Sequence, residues 1–309
     1  MKCTRCGKND SVIELKYNGE RLCRECFNVF FEKRVRRTIR INRLLKADDT
    51  VVVGLSGGKD SAVVLHILKK LSERVPESSL TAVTIDEGIR GYSNEALKAC
   101  KRICKKIGVE NKVYSFKKEF GLTLDQMVGK EGTADMPACS YCGVLRRRLL
   151  NDKARELHAD KLATGHNLDD EIQVGLMNYI RGDFERIARM GAEVGTLNEK
   201  KFVPRIKPLR DSPESEVVLY AKLNGLEFNV KKCPHNKTAL RQTLRACLND
   251  IDERHPGSKF QLLRSIDDLI PVMRKQYAGG KIGFCSRCSE PSSSSVCRVC
   301  EITEAVRKR

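Results

Sequence analysis

The stretch Val51 to Ser61, VVVGLSGGKDS, restricts the fold of this chain more than any other. Three β-branched residues followed by Gly54 and Leu55 read as a buried strand. Gly57 and Gly58 turn the chain, and Asp60 and Ser61 can cap a helix whose apolar residues (Ala62, Val63, Leu65, Ile67, Leu68) face inward. A strand, a glycine turn and a helix N-terminus together present free N–H groups and the positive end of a dipole to an anion. Glycine lets the main chain approach a phosphate, and the hydroxyls of Ser56 and Ser61 and the ammonium of Lys59 add donors. The stretch predicts a phosphate cradle.

The common nucleotide loop needs four residues between its glycines and Ser or Thr directly after its lysine; here Asp60 follows Lys59. SGGKDS instead resembles the PP-loop of the ATP pyrophosphatases. That resemblance implies adenylation, in which AMP is placed on a substrate oxygen and pyrophosphate leaves.

From Thr50 onward, strand-like runs (Val51–Leu55, Leu80–Ile85, Lys112–Phe116, Lys161–Thr164) alternate with helical ones (Asp60–Arg74, Tyr92–Ile107, Tyr141–His158, Leu168–Arg181). That rhythm predicts an α/β fold, a doubly wound parallel sheet with helices on both faces and ligands at the carboxyl ends of its strands. Two further segments fall there. In Ile85-Asp86-Glu87-Gly88 the backbone can hold adenine and a carboxylate the ribose. Gly165-His166-Asn167-Leu168-Asp169-Asp170-Glu171 is a glycine turn into an acidic helix start. Asp169 and Asp170 would hold Mg²⁺ or orient the nucleotide, or simply stabilise the helix by charge; His166 reads as a packing residue. Residues 182–200 suggest a mobile loop near substrate, Phe202–Leu209 an edge strand at most, and Pro213–Leu223 a helix.

The chain of 309 residues has no run of about 18 apolar residues that would span a membrane, and MKCTRCGK lacks the apolar core of a secretion signal. Its net charge of +18 exceeds what ATP requires, which favours a nucleic-acid partner over an acidic membrane surface. Fourteen cysteines arranged largely as CxxC pairs, with no leader, read as metal sites in a cytoplasmic protein rather than disulfides. Cys3, Cys6, Cys23 and Cys26 suit a four-thiolate zinc knuckle. Cys285, Cys288, Cys297 and Cys300 suit a second, more compact one. Val12, Ile13, Leu15, Leu22 and Phe27 are too few to fold the first knuckle unaided, so zinc there is structural. Between knuckle and sheet, residues 32–46 predict a connecting helix with a basic face, either solvated or tracking phosphates.

Six cysteines remain. Cys100, Cys104 and Cys247 read as ordinary buried residues. Cys139 and Cys142 open the helix that carries Arg146, Arg147 and Arg148, where dipole and arginines should depress their pKa; Cys233 lies in the basic segment Lys231-Lys232-Cys233-Pro234-His235. The three thiols fit a zinc site completed by His235, a redox or persulfide pair at Cys139 and Cys142, or three ligands of a cubane iron–sulfur cluster whose fourth iron stays open to sulfide. Spacing alone does not choose among them.

SGGKDS, MPACSYCGVLRRR, TGHNLDDE and the later lone Cys233, flanked by zinc knuckles, resemble the cytoplasmic tRNA 2-thiouridine synthetases over nearly the whole chain. The resemblance implies tRNA as substrate, Mg-ATP, two Zn²⁺, a homodimer, and a [4Fe-4S] cluster on Cys139, Cys142 and Cys233. Sulfur would come as sulfide or on a ubiquitin-like carrier, and the wobble uridine is preferred to the T-loop uridine. Some members carry lysine where Arg146 stands, so charge stabilisation of the nucleotide is the role carried over. The implied organisation is an N-terminal zinc finger (1–31), a basic linker helix (32–49), the PP-loop domain (50–230), a helical tRNA-binding region with the third core cysteine (231–278), and a C-terminal zinc finger with basic tail (279–309). Two rival readings are a PP-loop tRNA enzyme that attaches an amine and a non-enzymatic zinc RNA-binding scaffold. The first would need no core thiols; the second leaves SGGKDS unexplained.

Overall fold

A computed structural model of the chain describes residues 1–75, 77–128, 137–194, 201–235, 239–277 and 283–307. The hairpin β1 (Ile13–Leu15) and β2 (Glu20–Leu22) sets the corners of the first cysteine quartet, and the chain then enters α1 (Arg24–Ile41). The helix expected from residue 32 therefore starts inside the knuckle. Phe27, Phe31 and Val35 recur every fourth residue and are buried, so α1 joins the knuckle to the main core.

The alternation then runs β3 (Thr50–Gly54), α2 (Lys59–Ser72), β4 (Ser79–Asp86), α3 (Ser93–Ile107), β5 (Asn111–Ser115), and the short α4 (Phe116–Phe120) and α5 (Leu124–Val128). It continues through α6 (Ala138–Glu156), β6 (Lys161–Ala163), α7 (Leu168–Ile180), α8 (Phe184–Ala188), β7 (Glu193–Val194), β8 (Arg205–Ile206) and α9 (Glu214–Leu223). The paired helices α10 (Ala239–Arg254) and α11 (Ser258–Tyr277) follow. The hairpin β9 (Gly283–Phe284) and β10 (Pro291–Ser292) with α12 (Arg298–Arg307) ends the fold. The basic tail residues Lys308 and Arg309 lie outside the described residues.

The six-stranded sheet has the order β5-β4-β3-β6-β8-β7, parallel except for β7. Successive side chains of β3 point to opposite faces. Val51 and Val53 join the core with α1, α2, α3 and α9, whereas Val52 joins Leu145 and Leu149 of α6 and Ile302 and Val306 of α12. From β3 the chain builds outward to β5, then returns to place β6 on the other side of β3. The loops after β3 and β6 diverge and leave a crevice at their carboxyl ends.

Three expectations need correction. β8 is not an edge strand, because β7 covers it; Pro204 and Pro208 flank a ladder only two residues long, where their missing N–H groups do little harm. Residues 182–194 are ordered as α8 and β7 rather than a mobile loop, while 195–200 lie outside the described residues. Cys100 and Cys104 are buried as expected, but Cys247 on α10 is exposed.

Candidate functional site

The cradle forms where β3 runs into α2. Leu55 N–H still donates to Val83 O, and the chain turns at Gly57, whose φ is +76°. A Cβ there would lie 2.6 Å from Ala96 O, so close helix packing as well as handedness demands glycine. Gly58, rather than Asp60 or Ser61, is the N-cap of α2. Buried Ser61 donates to Gly58 O at 3.0 Å and accepts from Ser56 N–H at 3.2 Å, so its hydroxyl shapes the loop and only Ser56 presents one outward. Lys59 reaches Asp60 (2.9 Å) and Glu214 of α9 (2.8 Å).

The loop after β6 presses on the same helix end. A Cβ on Gly165 would lie 2.7 Å from Asp60 C and Ser61 N, and Asn167 donates to Asp60 Oδ1 at 2.9 Å while capping α7 through Asp170 N–H. Asp170 closes the capping box and pairs with Arg241 of α10 at 2.5 Å; burial raises its carboxyl to about 6. Asp169 turns away. Its oxygens are taken by Lys259 Nζ (2.5 Å) and Glu214 N–H (2.7 Å), so it ties α7 to α9 and α11 rather than facing a nucleotide. His166 bonds Thr164 Oγ1 (2.9 Å). Burial, reinforced by Lys207, Arg205, Arg241 and Arg146, lowers it to about 3 and keeps it neutral.

At the end of β4, Asp86 accepts from Gly88 N–H at 2.9 Å and Ile85 is buried. Glu87 is also buried, its carboxyl raised by that burial, with Oε1 3.5 Å from Arg146 Nη1. Glu87 belongs to the segment singled out from the sequence; Arg205 and Arg241, which act on His166, do not, and nothing in local spacing marks them.

Arg146 links the cradle side to the cysteines, since it acts electrostatically on both His166 and Cys142. Cys139 and Cys142 occupy the first turn of α6, with Cys139 Sγ donating to His235 O at 3.1 Å. Cys142 and Cys233 pack against the α6-side core, and Cys233 lies within electrostatic reach of both other thiols. Burial raises Cys142 to about 11 and also raises Cys233, outweighing the nearby Arg146. The depression expected of the Cys139 and Cys142 thiols from dipole and arginines is therefore corrected at Cys142. The His235 ring is held by Asp125 (2.7 Å).

The two terminal quartets differ from this trio. Within each, all four sulfurs lie within 4.8 Å of one another, and among the described residues the core thiols form no such group. The Cys297 N–H donates to Cys285 Sγ at 3.2 Å and, with other amides of the turn, lowers that thiol to about 6. Cys26 is pushed up to about 12 by burial and by its three sulfur neighbours. Four close sulfurs with N–H···S bonds fit structural zinc. The C-terminal quartet sits on α6, where Glu290 bonds Arg155 (3.0 Å) and α12 supplies Ile302 and Val306.

A doubly wound sheet whose crevice holds SGGKDS at a helix N-terminus defines a PP-loop protein. The PP-loop domain family matches residues 31–251, and the family described as 2-thiouridine synthetase TtuA, N-terminal LIM domain, matches residues 2–28. The tRNA 2-thiolation protein NcsA of Haloferax volcanii is 40% identical over 99% of both chains. The tRNA-5-methyluridine(54) 2-sulfurtransferase of Pyrococcus horikoshii is 34% identical, covering 97% of this chain and 93% of its own. Among solved structures, the U34-tRNA thiolase NcsA from Methanococcus maripaludis with its [4Fe-4S] cluster superposes with a TM-score of 0.84 at 36% identity, covering 98% of this chain and 96% of the other. The chain belongs to the PP-loop tRNA 2-thiolation family, the ATP-dependent tRNA sulfurtransferases. Among the described residues no helix is long and apolar enough to cross a membrane.

Proposed function

We propose that this protein converts the wobble uridine of tRNA to 2-thiouridine in the cytoplasm, as a homodimer. The preference for the wobble position rests on the likeness to the U34-tRNA thiolase over nearly the full chain. In the first half-reaction the uridine O2 attacks the α-phosphate of Mg-ATP and pyrophosphate leaves. The N–H groups around Gly57 and Gly58, with Ser56 and Lys59, hold the phosphates and neutralise the leaving group, with Gly54 and Asp60 framing the turn. The β4 end at Ile85 and Asp86 holds the nucleoside, Gly165 keeps the two loops in contact, and Arg146 and Asp170 flank the reacting atoms. In the second half-reaction sulfide adds at C2 and AMP departs with the original oxygen, with no change of redox state.

Cys139, Cys142 and Cys233 fit a [4Fe-4S] cluster better than zinc. Tetrahedral zinc needs ligand atoms packed as in the terminal quartets, and these three sulfurs are not. When bound, such a cluster with three protein ligands supplies an open iron for sulfide. Cys3, Cys6, Cys23, Cys26 and Cys285, Cys288, Cys297, Cys300 would each hold one Zn²⁺. One observation carries the proposal: Cys233, remote in sequence, is folded into electrostatic range of Cys139 and Cys142, and Arg146 reaches both this trio and His166 beside the phosphate cradle. The test is an anaerobic absorption spectrum with iron, sulfide and zinc counts, beside nucleoside mapping of the tRNA product. The expected result is iron lost in Cys233→Ser while both zincs remain, with sulfur at the wobble base. Full thiolation by Cys233→Ser would refute the mechanism, and sulfur at the T-loop base would refute the positional choice. Light scattering tests the dimer. Supplying either free sulfide or a carrier thiocarboxylate identifies the donor.

A further inference from the structure

Buried and half-buried cations in this protein are generally matched. Lys207 meets Glu171 (2.7 Å), Arg210 meets Asp267 (2.6 Å), Arg241 meets Asp170 (2.5 Å) and Arg155 meets Glu290 (3.0 Å). Arg205, which is half-buried, breaks this pattern, and Arg147, exposed at the surface beside it, is likewise unmatched. Among the described residues neither has a carboxylate in ion-pair distance, and Arg205 Nε is buried with no hydrogen-bond partner. A buried donor left unpaired costs free energy, so a fold keeps one only where something else satisfies it. The two side chains converge on the same face of the sheet. Arg147 lies on α6 about one and a half turns after Cys142. Arg205 opens β8 opposite Leu162 of β6, and Leu162 and Val203 join the α6-side core. Desolvation by the surrounding protein lowers the pKa of both; for Arg147 the charges of Arg205, Arg146 and Arg186 add to it and Cys142 opposes, and for Arg205 the more distant Glu171 opposes. Like charges held together in a crevice imply an anion.

We propose that Arg147 and Arg205 form a phosphate clamp, separate from the ATP cradle, that grips the backbone phosphate beside the uridine being modified. This rests on the tRNA reading above. The position separates it from the triphosphate: β8 is two strands from β3, about 10 Å across the sheet. The cradle already has its own amides and Lys59, while the clamp lies on the cysteine side. A guanidinium offers two parallel donors to a phosphate, and Arg205 Nε gains the partner it lacks. Phosphate contacts of this kind set register and leave sequence to be read elsewhere.

The test uses the full chain, Arg147→Gln and Arg205→Gln singly, and Arg205→Lys. The binding of a labelled unmodified tRNA transcript is followed over a salt series, and Mg-ATP binding is measured separately. Each glutamine variant should weaken tRNA binding about tenfold and reduce the slope of log affinity against log salt by about one, while ATP affinity stays within about twofold. Arg205→Lys should restore the slope but not the full affinity, because it keeps charge and loses the fork. The thermal midpoint of Arg205→Gln should hold or rise, since an unmatched charge has been removed. Unchanged tRNA affinity and slope would overturn the clamp. So would loss of ATP binding with tRNA intact, which assigns the pair to the nucleotide, or a fall of the thermal midpoint with loss of both ligands, which makes it structural. Failure of the wild-type chain itself to bind tRNA would instead remove the reading on which the clamp rests.

Discussion

Adjacent glycines in the cradle separate what the fold requires from what the ligand requires. Gly57 stands at φ +76°, and an added Cβ would fall 2.6 Å from Ala96 O and 3.2 Å from Ala96 C. Alanine there carries about 1–2 kcal/mol for the left-handed conformation and about 1–3 kcal/mol for forcing α3 away from the turn, together about 2–5 kcal/mol. For a chain of this size each kcal/mol lowers the melting temperature by about 2 °C, so Gly57→Ala should melt ~4–10 °C below the wild type. Gly58 has φ −82°, ordinary for any residue, and its nearest foreign atom would be Ser56 Oγ at 3.5 Å. Gly58→Ala should therefore cost under about 1 kcal/mol, the weaker cap alone, and leave the melting temperature within ~2 °C. An added methyl at Gly58 has no protein atom to crowd, and on the proposed function it would meet only the bound phosphate. Its Mg-ATP affinity should drop by at least about tenfold while folding is untouched. Scanning calorimetry and titration with Mg-ATP measure the two effects. Equal melting shifts for the two variants, or unchanged ATP affinity in Gly58→Ala, would refute the division.

Further expectations follow from buried charge and from the metal sites. Burial moves the Asp170 carboxyl from 3.8 to about 6, so folding favours its protonated form; the contribution of this one group to stability is greatest below 3.8 and declines as pH rises through about 6. The melting-temperature difference of Asp170→Asn over wild type should therefore grow across that interval and level off above it, and a pH-independent difference would contradict the shift. Glu216 is 2% exposed and holds both Arg34 (2.8 Å) and Tyr17 (2.9 Å), joining the first knuckle to α9. Glu216→Ala removes the carboxylate partner of the largely buried Arg34 and should lower the unfolding free energy by about 3–5 kcal/mol in denaturant titration. Stripping metal with a chelator should release α12 from Leu145 and Leu149, read as faster hydrogen exchange over residues 138–156.

Much of the architecture is legible from spacing because it is enforced locally. The runs at Val51, Leu80, Lys112 and Lys161 become β3 to β6 within a residue or two, since β-branched runs and helical periodicity report burial over short range. Paired CxxC turns likewise form each quartet from neighbouring chain. The boundary of α1 and the place of β8 were less legible, because helix continuity and sheet order depend on distant partners: Tyr220 stacks on Phe31 at 4.6 Å, and β7 returns to cover β8.

What local pattern determined is chemistry by type: a phosphate cradle, two thiolate knuckles, an α/β frame, and three cysteines with an unresolved purpose. Assembly was decided only in three dimensions. Reversal of strand order at β3 and β6 opens the crevice; burial, a property of the whole packed chain, then raises Cys142, contacts from Lys259 and Glu214 withdraw Asp169, and Arg205 Nε is left without a hydrogen-bond partner. Desolvation and electrostatics depend on every surrounding atom, whereas periodicity registers only neighbours along the chain.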